Sequence, residues 1–213
     1  MTVPPPSDEA ELIARARALV GRRLGELVVG LHTKGKGGEL LERALGATGG
    51  SQATWDFPDL RVELKSIPLD VRGKPKESTF VCAFPLADAD RAAWETSWAR
   101  SKLSRVLWIP LHMEAGGARR VGEPVLWSPT AEQEAVLKDD FEEIVGQIGI
   151  GGIEGVSAHL GTYLQLRPKA AHGRVRTVVR GREGDLVATV PRGFYLRARF
   201  TAEILDRTLN HRA

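Results

Sequence analysis

The chain has 213 residues, with 30 Lys or Arg against 27 Asp or Glu and a net charge of +3, and its 42% hydrophobic and 27% charged content is that of a globular protein able to bury a substantial core. Its single cysteine, Cys82, excludes a disulfide framework and a zinc site built on several cysteines. No basic start leads into an apolar stretch and no apolar run approaches about 18 residues, so neither a secretory signal nor a membrane span is expected, and the cytoplasm is the expected compartment. The charge is uneven: residues 160–213 hold 11 Lys or Arg against 4 Asp or Glu, a candidate electrostatic footprint for a phosphate backbone or, equally, an arginine-rich solvated surface.

Residues 2–6, TVPPP, read as a short disordered or extended leader. Ser7 is an expected N-cap for a helix whose Leu12, Ile13, Ala16, Leu19 and Val20 share one face before Gly21. A short helix is expected over 24–31, then a glycine-rich basic loop over 32–38 that contains Lys34. That loop lacks the G-x-x-x-x-G-K-[ST] spacing of a phosphate cradle, so nucleotide binding is rejected. A helix over 39–45 follows, carries Glu42, and stops at Gly46.

Residues 56–65, DFPDLRVELK, carry the chemistry. Leu60, Val62 and Leu64 alternate with Arg61, Glu63 and Lys65, the period-two pattern of a half-buried strand. Glu63 and Lys65 then share one face with their Cα atoms about 6.6 Å apart, so a carboxylate can bind Mg²⁺ while the neighbouring ammonium meets a phosphate or an attacking water. Asp56, in the turn before the strand, is the candidate second carboxylate. Asp59 makes a literal Pro-Asp, but four residues before Glu63 on one extended strand it would lie about 13 Å away, too far to share a metal. Hard oxygen ligands, a cation and an activated water suit metal-assisted phosphodiester cleavage. An acid-x-Lys triplet is common by chance, and on an exposed face it would be an ordinary solvated pair.

A turn around Gly73 and Pro75 is expected to join this strand, taken as 60–67, to a second over 79–84 as a hairpin. An amphipathic helix over 87–104 carries Trp94, Trp98 and Lys102. Strands over 106–112 and 124–127 are linked by a loop over 116–122. Ser128 is an expected N-cap with Pro129 at the first helical position, for a helix running to about 148 and ended by the glycine turn at 149–152. A strand over 163–166 runs into Arg167, Pro168 and Lys169, another over 186–190 leads into residues 191–195 with Tyr195, and Thr201 caps a terminal helix with Ile204, Leu205 and Leu209. With no internal repeat and no long linker, one α/β domain with a mixed central sheet flanked by helices is expected. By residue type alone, Phe80 and Cys82 are core, Lys102 and Glu42 are solvated, Tyr195 is a boundary aromatic and Arg167 at most a backbone contact.

The runs LLERALGA, VELKSIPLD, ESTFVCAFPL, WETSWARSKLSRVLWIP, LWSP, YLQLRPKA and VPRGFYL occur in that order over about residues 40–205, and the chain resembles the MutH family of methyl-directed mismatch-repair endonucleases. The resemblance implies a type II restriction-endonuclease fold with two lobes around a DNA cleft. It implies Asp56, Glu63 and Lys65 as catalytic residues, with Glu42 joining the active-site carboxylates as a third metal ligand and Lys102 near the scissile phosphate. Mg²⁺ is the implied cofactor, with Mn²⁺ as a substitute. It places Lys34 and Phe80 near DNA, and Arg167, Pro168, Lys169 and Tyr195 at positions that read the sequence or exclude a methyl group. The family usually has a bulkier residue where Lys36 stands, and the loop around it is shorter here. Family members nick the unmethylated strand 5′ of the guanine in hemimethylated or unmethylated GATC sites, as monomers activated by MutL, itself summoned by MutS. The alternatives are a GATC restriction endonuclease and a non-catalytic binder of hemimethylated DNA.

Overall fold

The computed structural model describes residues 3–27, 37–50, 54–156, 159–169 and 174–210. In chain order its elements are α1 (Glu9–Ala18), α2 (Gly37–Leu45), β1 (Glu63–Pro68), β2 (Thr79–Phe84), α3 (Trp98–Leu103), β3 (Val106–Met113), β4 (Arg119–Val121), β5 (Val125–Trp127), α4 (Ala131–Gly149), β6 (Leu164–Pro168), β7 (Thr177–Arg180), β8 (Leu186–Thr189), β9 (Arg192–Leu196) and α5 (Ala198–Asn210). The chain divides into two compact units, one of residues 1–77, 104–128 and 202–213, the other of 78–103 and 129–201.

The first unit holds a mixed sheet in which β1 runs parallel to β3, and β3 pairs antiparallel with β4 and β5. Val106 to Leu111 of β3 are buried without alternation, as expected of a central strand covered on both faces. Residues paired across neighbouring strands project to one face. Leu64 therefore lies with Leu107 on the side where Leu12, Ala16, Leu41 and Leu45 of α1 and α2 form the core. Glu63 and Lys65 project to the other side with their partners Val106 and Trp108.

The strand expected from residue 60 begins only at Glu63. Pro58–Leu60 form a 3₁₀ turn, because proline presets φ for a turn and denies a ladder donor. Arg61 closes the turn in the left-handed region at φ 53°. Phe57 and Val62 exchange backbone hydrogen bonds of 3.0 and 3.2 Å across it. Side-chain alternation survives through the turn and imitates a longer strand.

The expected hairpin of this strand with residues 79–84 is not formed. Asp70 does organise the turn, accepting from the Arg72 and Lys74 N–H groups at 2.8 and 2.9 Å, but β1 takes β3 as its partner while β2 pairs with β9. The apolar run of β3 can cover β1, whereas β2 carries its own apolar side chains for a different layer. At the other end of the first unit, Arg105 grips Glu9 with two hydrogen bonds, Nε to Oε1 at 2.8 Å and Nη2 to Oε2 at 2.5 Å. This guanidinium holds the Glu9 carboxyl below the usual carboxylate range.

The second unit is built on the antiparallel order β2-β9-β6, with β7 and β8 as a separate hairpin. Phe84 and Phe194 share one face of that sheet and pack on Phe141 of α4, with Phe141 and Phe194 ring centroids 5.1 Å apart. Cys82 lies on the same face and is buried as expected. β9 itself, expected only as the sequel of a strand, is the central strand of the sheet. β4 and β7 are also strands where none was expected, and each is short, β4 with two arginines among its three residues and β7 with Arg180 at its end.

Five helix limits also differ from expectation. The helix expected over 87–104 is two 3₁₀ turns, Leu86–Arg91 and Trp94–Thr96, followed by the short α3. Ser97 is extended and its Oγ accepts from Arg100 N at 3.0 Å, an N-cap that restarts the helix rather than continuing it. α4 starts two residues later than expected, with Thr130 and Gln133 forming a capping box, while Ser128 Oγ donates to the Ser104 carbonyl at 2.7 Å. Asp8 rather than Ser7 caps α1, and Thr201 lies inside α5, its hydroxyl directed at the Arg197 carbonyl. The helix expected over 24–31 is a 3₁₀ turn at Leu24–Glu26, and its remainder from residue 28 lies outside the described residues.

Asp140 organises the approach to β6. It is 4% exposed, and its carboxylate accepts from the Thr162, Tyr163 and Leu164 N–H groups at 2.6, 2.6 and 2.7 Å. Asp140→Asn would turn one acceptor oxygen into a donor facing these amides. We expect a loss of about 2–4 kcal/mol, since unmade bonds to a buried charged acceptor cost 1–3 kcal/mol each, and a melting temperature lower by roughly 5–15 °C. Thermal unfolding followed by circular dichroism checks this, and a fall under about 2 °C would show that the amides find other acceptors.

Candidate functional site

The first unit brings the expected chemical group together around one peptide. The 3₁₀ turn after Phe57 reverses the chain so that Asp56 lies beside β1, and Asp56 Oδ2 accepts from the Leu64 N–H at 2.7 Å. That amide links Glu63 to Leu64, so the two carboxylates are held at the same step of the strand. Two further backbone bonds, from Thr48 and Gly49 N–H to the Asp56 carbonyl, fix Asp56 from the other side. Asp59 is exposed within the 3₁₀ turn rather than on an extended strand, so its exclusion follows from the turn and not from a strand length.

Glu63 is 2% exposed and Lys65 Nζ donates to its Oε1 at 2.7 Å. A carboxylate this buried survives as an anion only with a cation and hydrogen bonds nearby, and the ion pair with Lys65 supplies the first of these. Lys65 is itself largely buried, its side chain 16% exposed. Glu42 is half-buried on α2, the helix that packs on the opposite, Leu64 side of β1. Among the described residues no group of three or more His, Cys, Asp or Glu side chains gathers as a metal cage. The structure thus associates Asp56, Glu63 and Lys65 around one strand.

The donor set nevertheless fits Mg²⁺. That ion prefers hard oxygens, keeps several waters and is commonly held by one or two carboxylates plus phosphate oxygens, and Asp56 and Glu63 are two such carboxylates on a rigid strand edge. Paired with a buried ammonium, they can hold a cation, orient a water and offset charge that develops on phosphorus-bound oxygens.

The second unit brings together four of the expected DNA-contacting residues on one face of its sheet. Phe80 pairs with Tyr195 and Tyr195 with Gln165, while Arg167 pairs with Gly193, so Phe80, Tyr195 and Arg167 project to the side opposite Phe84 and Phe194. Phe80 and Tyr195 meet edge to face at 5.3 Å. Arg167 Cζ stands 5.7 Å from the Tyr195 ring centroid and Lys169 Nζ 4.3 Å from that of Phe80, both within cation–π reach. Burial pushes the Tyr195 phenol above its ordinary value, with the Arg167 guanidinium opposing.

Pro168 does not join this cluster: it pairs with Arg192, and strand alternation turns it to the opposite face. Lys102, on α3 in the same unit, stands over Trp98 with its Nζ 5.4 Å from the ring centroid. Lys34 lies outside the described residues.

Two contributors were not expected from sequence. Gly193 leaves room for Phe80: a Cβ there would come within 2.8 Å of Phe80 Cε2 and 2.7 Å of the Cys82 carbonyl. Its place between Arg192 and Phe194 reads as a turn, and only the pairing reveals a close approach. Ser78 accepts from Arg167 Nη1 at 2.5 Å, and a serine at a strand entry carries no sequence signal for that role. No helix among the described residues is long and apolar enough to cross a membrane.

Comparison with known proteins identifies the family to which the chain is similar. The family model for the DNA mismatch repair enzyme MutH matches residues 45–140, the span that holds Asp56, Glu63, Lys65, Phe80 and Lys102. The DNA mismatch repair protein MutH of Serratia proteamaculans is 46% identical over 216 residues, covering 96% of this chain and 95% of that protein. Those of Escherichia coli O9:H4 and Escherichia coli K12 are each 47% identical over 215 residues, covering 95% of this chain and 94% of theirs. Similarity at this level over nearly the full length of both chains means that the chain belongs to the MutH family of DNA mismatch repair enzymes.

Proposed function

We propose that the protein is a Mg²⁺-dependent endonuclease of methyl-directed mismatch repair, nicking the unmethylated strand 5′ of the guanine in hemimethylated or unmethylated GATC sites. The observation that carries the proposal is the Glu63–Lys65 ion pair on β1, with Asp56 bonded to the intervening backbone. Asp56 and Glu63 would hold the metal, whose charge polarises the phosphate and lowers the pKa of a nearby water. Lys65 orients that water and offsets negative charge as the phosphodiester bond breaks. Glu42 supports a second metal or an ordered water. Lys102 contributes a cation near the scissile phosphate, and Mn²⁺ substitutes for Mg²⁺.

Site choice falls to the other unit. Arg167 suits the O6 and N7 acceptors of guanine, and adenine methylation alters the N6 amine displayed in the same major groove, where Tyr195 would meet it. Lys169 and Phe80 support that surface, Lys34 adds a DNA contact, and Pro168 shapes the end of β6. The reading includes a restriction-endonuclease-like arrangement of two lobes about the DNA, action as a monomer in the cytoplasm, activation by MutL, and recruitment through MutS.

The test is nicking of a strand-labelled hemimethylated GATC duplex with Mg²⁺, with and without MutL, beside a fully methylated duplex. Cutting confined to the unmethylated strand and increased by MutL is the expected result. Rapid cutting of both strands without MutL would replace it with a restriction enzyme, and binding without cutting would leave a binder of hemimethylated DNA.

A further inference from the structure

Arg167 is an exposed arginine at the end of β6, the kind of side chain that ordinarily sweeps a wide volume. Here it is held at two points: Nη1 donates to Ser78 Oγ at 2.5 Å, and the guanidinium lies over the Tyr195 ring. Among the described residues it forms no ion pair. The chemistry of that arrangement is specific. A carboxylate partner would hold the guanidinium but neutralise it and compete with any incoming acceptor. A hydroxyl oxygen accepts one N–H bond and leaves the positive charge and the remaining donors for the ligand. Because guanidinium only donates, Ser78 must accept, and its own proton stays free to turn toward a phosphate or base acceptor.

We propose that Ser78 is a specificity-determining positioning residue, setting the plane and reach of Arg167 before DNA arrives. The proposal rests on the assignment of Arg167 to base reading. A free arginine side chain carries large rotamer entropy. Holding the side chain in advance removes that cost from binding at the cognate base, where two donors must meet two acceptors together. At a substituted base the bidentate contact is not made, so pre-ordering brings no gain. The hydroxyl therefore widens the gap between right and wrong sites rather than strengthening DNA binding uniformly.

The experiment compares Ser78→Ala, Ser78→Thr and Arg167→Ala in nicking of GATC duplexes and of duplexes with the guanine pair replaced, under single-turnover conditions. Ser78→Ala is expected to lower kcat/KM on the GATC duplex about 5- to 20-fold, a part of what a bidentate contact discriminates, while kcat/KM on the substituted duplexes stays where it was. Ser78→Thr, which keeps the hydroxyl, is expected to restore the ratio to within about twofold of the unaltered protein. A ratio unchanged by Ser78→Ala, or a Thr variant no better than the Ala variant, overturns the proposal. Arg167→Ala separates the two levels: if it too leaves the ratio unchanged, the assignment of Arg167 falls. If it abolishes the ratio while Ser78→Ala does not, only the role of Ser78 falls.

Discussion

Replacing Glu63 with Gln is expected to lower the nicking rate by about 10³-fold or more, equivalent to about 4 kcal/mol of transition-state stabilisation. The change is nearly isosteric, so it tests charge rather than shape. Glu63 is buried and ion-paired to Lys65. The amide can neither hold a divalent cation as strongly nor neutralise the ammonium. A stability cost accompanies the loss, since removing one member of a buried pair strands the other and typically costs about 3–5 kcal/mol. Rates must therefore be measured well below the melting temperature of the variant. The Glu63→Gln, Lys65→Met double variant separates the two effects: restored stability without restored nicking is expected if both residues act on the phosphate. A Glu63→Gln protein that nicks within tenfold of the parent rate would remove Glu63 from the chemistry, and with it the central claim about this site.

Tyr195→Ser is expected to spare cleavage and blur the choice between methylated and unmethylated strands, reducing that preference by about 10- to 100-fold, the range of one good base contact. Tyr195 is hemmed by Phe80 at 5.3 Å and by Arg167, so its ring has a defined place from which a methyl group can be felt. The same surroundings give a pH expectation. Burial raises the phenol above its ordinary value, so its neutral form, present below that value, persists to higher pH than for a free tyrosine. Strand preference should therefore stay flat from about pH 6 to pH 9. The measurement is the ratio of single-turnover rates on the two strands of differentially methylated duplexes at each pH. A preference that falls through that window in the parent protein, or one unchanged in Tyr195→Ser, would assign discrimination elsewhere.

Much of this was legible in the residues themselves. The lone Cys82 removed a disulfide framework and a zinc site built on several cysteines, and the long apolar period of 131–148 announced α4, because a buried helix face needs an apolar residue about every third or fourth position. The acid-x-Lys triplet was visible as chemistry, since both side chains must share a strand face at that spacing. The short 3₁₀ turns and the short strands β4 and β7 were not visible, because local caps and turns such as Ser97 and Pro58 interrupt a pattern that side-chain hydrophobicity alone continues, and three or four residues are too few to show a period.

By itself the sequence determined the chemical inventory and its local order: which carboxylates, lysines and aromatics exist, and that Glu63 and Lys65 stand two residues apart on a strand. Tertiary structure alone decided their company. The turn at Pro58–Leu60 brought Asp56 to the peptide after Glu63, and the pairing of β9 between β2 and β6 gathered Phe80, Tyr195 and Arg167 on one face with Ser78 within hydrogen-bond reach. Strand partners are selected by long-range burial, which compares surfaces far apart in the chain, whereas periodicity and capping report only on neighbours a few residues away.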